Sequence, residues 1–141
     1  GCFPAYAVPH EGDSMKNRAS SIALAAAFAA LLAGCATMAP SPAKTVDGAL
    51  VNDAGMTLYT FDRDVGGSGK SVCNGPCAVN WPPFRATTDT PPNAAWQIVT
   101  RDDGSKQWAY QGKPLYTWLK DTKPGDRTGD GVNNAWRVAR P

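Results

Sequence analysis

Histidine and glutamate are almost missing from this chain: each occurs once, at His10 and Glu11, and neither recurs further along. Without a later histidine, Ser-His-Asp and Cys-His arrangements have no base in the body of the chain, and a catalytic carboxylate pair would have to be drawn from turn aspartates. An Asp-dependent enzyme is therefore the weakest of the functional alternatives, and no catalytic residue is expected. Zinc, which typically takes four Cys and His ligands, lacks its usual donors as well. Charge of one sign is equally scarce. Lys and Arg total 14 against 12 Asp and Glu, a net charge of +2, and the cations are scattered singly, so no basic stripe points to a nucleic-acid partner. Long apolar runs are absent too. The uncharged stretch from Ile22 to Leu32 is short of the roughly 20 helical residues that span a bilayer core, and no long pattern of period 3.6 follows Thr45, which excludes a helical body. With 141 residues, the chain has room for one modest domain.

The apolar stretch is placed like a secretion signal. Met15, Lys16 and Arg18 precede it and small residues follow it, the order of a charged n-region, a short h-region and a cleavage zone. Residues 1–14 then read as a remnant upstream of the true start, and residues 15–34 as the signal peptide. Leu32-Ala33-Gly34-Cys35 resembles the lipobox of bacterial lipoproteins. That resemblance implies a diacylglyceryl thioether on Cys35, with acyl chains such as palmitate holding the protein to a membrane. Each buried methylene adds about 0.8 kcal/mol, and stable anchoring takes more than one chain. Ala36, rather than Asp, after the cysteine resembles sorting to the outer membrane, facing the periplasm, in a Gram-negative host. Residues 35–44 mix Pro with small and polar residues and read as a lipidated N-terminus and flexible tether, with the folded body at 45–141.

Within that body one segment occurs twice. Gly55-Met-Thr-Leu-Tyr-Thr-Phe-Asp-Arg-Asp64 matches Gly112-Lys-Pro-Leu-Tyr-Thr-Trp-Leu-Lys-Asp121, and each copy is later followed by a tryptophan in a comparable place, Trp81 or Trp136. A duplicated supersecondary unit is expected. β-Branched and aromatic residues alternate with polar ones around the copies, and Gly-containing turns separate them. Residues 96–100 and 106–110 read as a hairpin over an Asp-Gly turn, and residues 114–118 as a third strand with Pro114 at its start, because proline donates nothing to a ladder. In the earlier copy the strands fall at 49–52 and 56–61, and residues 136–139 close the domain. The fold class is all-β: two similar β-meander halves in a sandwich- or barrel-like body. Period two puts Tyr59 with Phe61, and Tyr116 with Trp118, on one face, with Leu58 and Leu115 on the other.

The repeated Tyr59-x-Phe61-x-x-Asp64 and Tyr116-x-Trp118-x-x-Asp121 resemble the motif of the bacterial secreted-repeat lipoproteins, Y-x-[FWY]-x-x-D. The likeness runs from about Ala49 to Pro141 and takes in Cys73-Asn-Gly-Pro-Cys77, Trp81-Pro-Pro and Gln107-Trp-Ala-Tyr110. It implies an envelope location and a duplicated architecture, and it supplies no reaction.

Cys73 and Cys77 flank a turn-prone Asn-Gly-Pro, and a disulfide is the default in an oxidising envelope. The alternative is a redox or copper-handling pair, with Met38 and Met56 as accompanying thioethers. Asp64 and Asp121 are expected to accept backbone N–H groups at the strand exits. Asp126, Asp130 and Asn133 could furnish oxygen donors to Ca²⁺, but they lack the order of an EF-hand and its closing Glu, and an Asx-turn loop is the expectation. The five tryptophans are expected mostly in the core, the sharper alternative being a strip formed by Trp81, Trp118 and Trp136 that stacks on a flat ligand. No cofactor is expected. The leading functional reading is a non-catalytic envelope lipoprotein that binds another envelope protein or a cell-wall glycan.

Overall fold

The computed structural model describes residues 40–141, so the expected remnant, signal peptide and Cys35 lie outside the described residues. Seven short strands form three antiparallel sheets: β1 (Lys44–Val46) with β2 (Ala49–Val51), β3 (Tyr59–Phe61) with β7 (Trp136–Val138), and β4 (Trp96–Thr100), β5 (Lys106–Tyr110) and β6 (Lys113–Pro114) in that order. Asp47 and Gly48, with φ of 48° and 75°, make the two-residue turn between β1 and β2, the left-handed geometry that matches strand twist. The β4–β5 hairpin pairs Trp96 with Tyr110 and Thr100 with Lys106; the third strand starts at Lys113 rather than Pro114, which ends it opposite Ala109, and the rest of the expected 114–118 strand is reduced to isolated bridges at Tyr116. The architecture is all-β and duplicated.

Further local details differ from the sequence reading. The folded body begins before Thr45: Ala43 is buried and Lys44 pairs with Val51, because the Asp47-Gly48 turn sends the chain back along β2, where its backbone groups find partners. Ala43 and Lys44, read from the sequence as part of the segment ahead of the body, thus belong to the folded body. A five-residue helix α1 (Pro76–Asn80) and a 3-10 turn (Val132–Asn134) also interrupt the strands. Pro76 suits the first turn of a helix, where its missing N–H has no partner to lose.

The halves are interlocked. Tyr59 and Tyr116 exchange backbone hydrogen bonds at 2.7 and 3.0 Å, so the two motif strands meet antiparallel about a local two-fold axis. The segment after each tryptophan then crosses over. The segment after Trp81 places Pro83 opposite Tyr116, and the segment starting at Trp136 places Val138 opposite Tyr59. Each half closes on a ring of three backbone bonds. Leu58 N donates to Leu50 O, Leu50 N to Ala139 O and Ala139 N to Leu58 O; Leu115, Trp108 and Phe84 repeat the ring. Both rings contain a strand supplied by the other repeat.

Alternation along the motif strands separates two cores. Tyr59 and Tyr116 lie with Trp81, Trp136 and Cys73, and Phe61 and Trp118 pack against that cluster. Leu58 and Leu115 lie with Leu50, Trp96, Trp108 and Ala139. Because every strand in a ring needs its donor and acceptor, neither repeat can close its core alone. Fragments 40–92 and 93–141 are expected to give collapsed amide spectra separately and a dispersed one when mixed. A dispersed spectrum from either fragment by itself would contradict the interlock.

Candidate functional site

Each motif begins as a local turn. Asp64 N donates to Phe61 O at 3.0 Å and Asp121 N to Trp118 O at 3.1 Å, which fixes the three-residue spacing from aromatic to aspartate. The same turns bring residues close to the partner repeat. Gly112, at φ 82°, lies against Gly67, so that an added Cβ would stand 2.8 Å from the Gly67 nitrogen, and Gly55 packs likewise on Pro124. Only glycine fits both that φ and that approach.

The aspartates serve the opposite repeat. Tyr59 Oη donates to Asp121 Oδ2 at 2.5 Å, and Tyr116 Oη donates to Asp64 Oδ2. The second oxygens hold the following loops: Asp64 Oδ1 accepts Val72 N at 2.8 Å, and Asp121 Oδ1 accepts Thr128 N at 3.0 Å and Thr128 Oγ1 at 2.6 Å. The motif tyrosines and aspartates are all buried. Burial, and then the hydrogen bond to the facing carboxylate, push both tyrosine hydroxyls well above their ordinary range. Burial also raises Asp64, against the lowering effects of Tyr116, Val72 and Arg101. An enzyme built on these aspartates would need one of them in an open cleft. Asp64 and Asp121 are 8% and 7% exposed, with every oxygen engaged.

A buried cation completes one of the two centres. Arg101, 4% exposed, donates to Ser71 Oγ at 3.0 Å, to Gln107 Oε1 at 2.7 Å and to the Cys73 carbonyl. Since Tyr116 gives its proton to Asp64, Ser71 donates to Tyr116 across 2.5 Å, and the hydrogen bonds run from Arg101 through two hydroxyls to the carboxylate. Gln107 Nε2 donates to Leu115 O at 2.6 Å. The guanidinium thus offsets the Asp64 charge without a direct ion pair. The sequence reading missed Arg101, Ser71 and Gln107. Nothing in a hairpin-end arginine sets it apart from a solvated one, and alternation with Trp108 would place Gln107 on the outer face of a one-sided sheet, whereas β5 is buried on both faces.

Cys73 and Cys77 form a disulfide, with S–S 2.02 Å and Cα–Cα 5.2 Å. Cys73 is completely buried, and its carbonyl is held by Arg101, so the bridge joins the loop after Asp64 to the helix leading to Trp81. The paired sulfurs offer no thiolate to a metal in this state.

Between the centres stands a column of four rings: Phe61 on Trp136 at 4.2 Å, Trp136 on Trp81 at 3.7 Å and Trp81 on Trp118 at 3.8 Å. It alternates between repeats. Tyr59 and Tyr116 meet the edges of Trp81 and Trp136 at 5.4 and 5.1 Å. Trp81 and Trp136 are 4% and 2% exposed and covered on both faces, which removes them from the alternative of a ligand-stacking strip: their burial fills the Tyr-side core. Trp118, at the end of the column, is half-buried, with the Lys120 ammonium 5.8 Å from its centroid. Beside it, Leu119 and Val79 are exposed at 58% and 66%, and Leu119 N donates to Asn80 O.

The oxygen-rich loop serves its own backbone. Asp126 Oδ2 accepts Thr122 N and Lys123 N at 2.9 and 3.2 Å, and Asp130 Oδ1 accepts Val138 N at 3.2 Å. Asn133 takes φ 52°, a left-handed conformation Asn tolerates. These residues are thus turn-formers, and no cluster of three or more His, Cys, Asp or Glu suited to a metal occurs among the described residues.

The bonds from Thr122 and Lys123 lower the Asp126 carboxyl to about 2. A depressed folded value stabilises the fold above the unfolded pKa of about 3.9, and that contribution disappears as pH falls through the folded one. The gap in Tm between wild type and Asp126→Asn should therefore be open at pH 6 and close on acidification from about pH 4 to about pH 2. A gap independent of pH would contradict the turn-forming role.

A family model described as a secreted repeat of unknown function matches the chain twice, over residues 41–85 and 97–140. No curated protein and no solved structure gives a significant match. The two matches coincide with the two interlocked units, each carrying one copy of the tyrosine–aspartate motif, and the chain belongs to this family of secreted repeats.

Proposed function

We propose that this secreted repeat protein is a lipid-anchored, non-catalytic binding module of the bacterial envelope, held through Cys35 and facing the periplasm from the outer membrane. The observation that carries the reading is the burial of the four motif residues, Tyr59, Asp64, Tyr116 and Asp121. The groups best able to move a proton are consumed in joining the halves, and reaching them would open the core. Function then falls to the surface. The end of the ring column presents Trp118 beside exposed Leu119, Val79 and Lys120, an aromatic platform with apolar and cationic flanks. Such a platform suits the flat face of a sugar ring, and a cell-wall glycan is the partner it favours over another envelope protein. The Leu32-Ala33-Gly34-Cys35 sequence supports the anchor.

Two measurements test this. Labelled palmitate should enter the wild type and not Cys35→Ser, which should leave the membrane fraction. Wild type should co-sediment with purified cell-wall sacculi, and Trp118→Ala should weaken that by roughly tenfold, the scale of an aromatic anchor, with its fold verified by amide dispersion. An unlabelled wild type would remove the anchor. Failure of wild type to co-sediment, or full binding by a folded Trp118→Ala, would remove the glycan platform.

A further inference from the structure

A second surface, away from the Trp118 platform, is built differently in the two repeats. A groove of about 260 Å³ opens where β3, β6 and the chain after β7 converge, walled by Thr60, Asp62, Tyr110, Lys113, Arg137 and Arg140. Three cations face one carboxylate. Arg137 Nε lies 3.3 Å from Asp62, both about half exposed at 47%, and Arg140 Nη1 donates to Gly48 O at 3.2 Å, which steadies the guanidinium at the rim. Lys113 is exposed.

The duplication shows that these charges are not demanded by the fold. Asp62 N bonds Ala135 O as Leu119 N bonds Asn80 O, and Tyr59 faces Val138 as Tyr116 faces Pro83. Through that correspondence Asp62 matches Leu119, Arg137 matches Pro82, and Lys113, following Gly112, matches Met56, following Gly55. Only Arg140 is matched by another charge, Arg85. The same backbone closes with Leu, Pro and Met at three positions where this groove carries Asp, Arg and Lys. The other copy thus forms this shared backbone without them. Charges that the shared backbone does not need, gathered on one groove, are free to serve a ligand.

We propose that this groove binds an oxyanion carried on a small hydroxylated body, a sugar or glycerol phosphate. Lys113, Arg137 and Arg140 hold the phosphate, and a guanidinium fork suits its oxygens. Thr60, Asp62 and the Tyr110 hydroxyl serve the hydroxyl groups, and the Tyr110 ring, braced on Trp96 at 5.0 Å, forms a firm wall. The volume is below that of a drug-sized pocket, the scale of a headgroup. Two sources share this chemistry: a free sugar or glycerol phosphate, and the headgroup of an anionic phospholipid.

The test uses the full chain and two probes, glycerol 3-phosphate in solution and phosphatidylglycerol vesicles against phosphatidylcholine vesicles. Amide shifts should saturate around Thr60, Lys113, Arg137 and Arg140 with one probe or both, and binding should weaken as salt rises. The double variant Lys113→Met/Arg137→Gln, which brings the copies closer to one another, should keep the wild-type dispersion and bind at least tenfold more weakly. Response to glycerol 3-phosphate alone assigns a soluble ligand, and response to the vesicles alone, or to both, assigns a headgroup. Absence of saturation with either probe up to about 10 mM, or unchanged affinity in the folded double variant, would overturn the proposal. Trp118→Ala should leave this binding intact, so its result stands apart from that of the sacculus experiment.

Discussion

The fold depends on a hydrogen bond that reaches from one repeat into the other. Tyr59 gives its proton to Asp121, and Tyr116 gives its own to Asp64. A buried carboxylate without donors would cost several kcal/mol, so each aspartate makes the presence of the opposite tyrosine a condition of burial. The rest of the molecule is arranged around that condition. The exchanged backbone bonds of the tyrosines, the crossing of the post-tryptophan segments and the four-ring column all lie on the same local axis. The halves share one Tyr-side core because the motif cannot be satisfied within a single copy.

Much of this was legible in the sequence, and the boundary of legibility is physical. Alternation sorted Tyr59 and Phe61 from Leu58 correctly because a strand has only two faces. The β4–β5 hairpin was readable to the residue because Asp-Gly turn chemistry brackets it. The same chemistry at Asp47-Gly48 would have extended the body back to Lys44, but the Pro-rich segment before it looked like tether. The aspartates were expected to shape turns through backbone N–H groups, and they do, at Val72 and Thr128. Which tyrosine each would accept could not be read, because a repeat specifies its own turn and leaves the crossing to tertiary packing. Arg101 was invisible for a similar reason: its burial is decided by Ser71 and Cys73, distant in sequence.

The two copies divide labour. What both retain, the tyrosine, the aromatic, the aspartate and the tryptophan, is internal and holds the body together. What they do not share is partly internal, the disulfide in the loop after Asp64 and Arg101 at the end of β4, and partly at the surface: the Asp126 turn, Trp118 where its counterpart is Phe61, and a charged groove where its counterpart is apolar. A secreted domain of this size has little core to spare, and the crossed pairs let two short units act as one. Binding surfaces can then diverge at single positions without disturbing the shared interior.

Double-mutant cycles by thermal or chemical unfolding test the crossing most directly. The combinations are Tyr59→Phe with Asp121→Asn and Tyr116→Phe with Asp64→Asn, each set against the within-repeat combinations Tyr59→Phe with Asp64→Asn and Tyr116→Phe with Asp121→Asn. Coupling of about 1–3 kcal/mol between the crossed partners, with near-additive behaviour within each repeat, is the predicted result. Coupling confined to the within-repeat combinations, with the crossed ones additive, would contradict it.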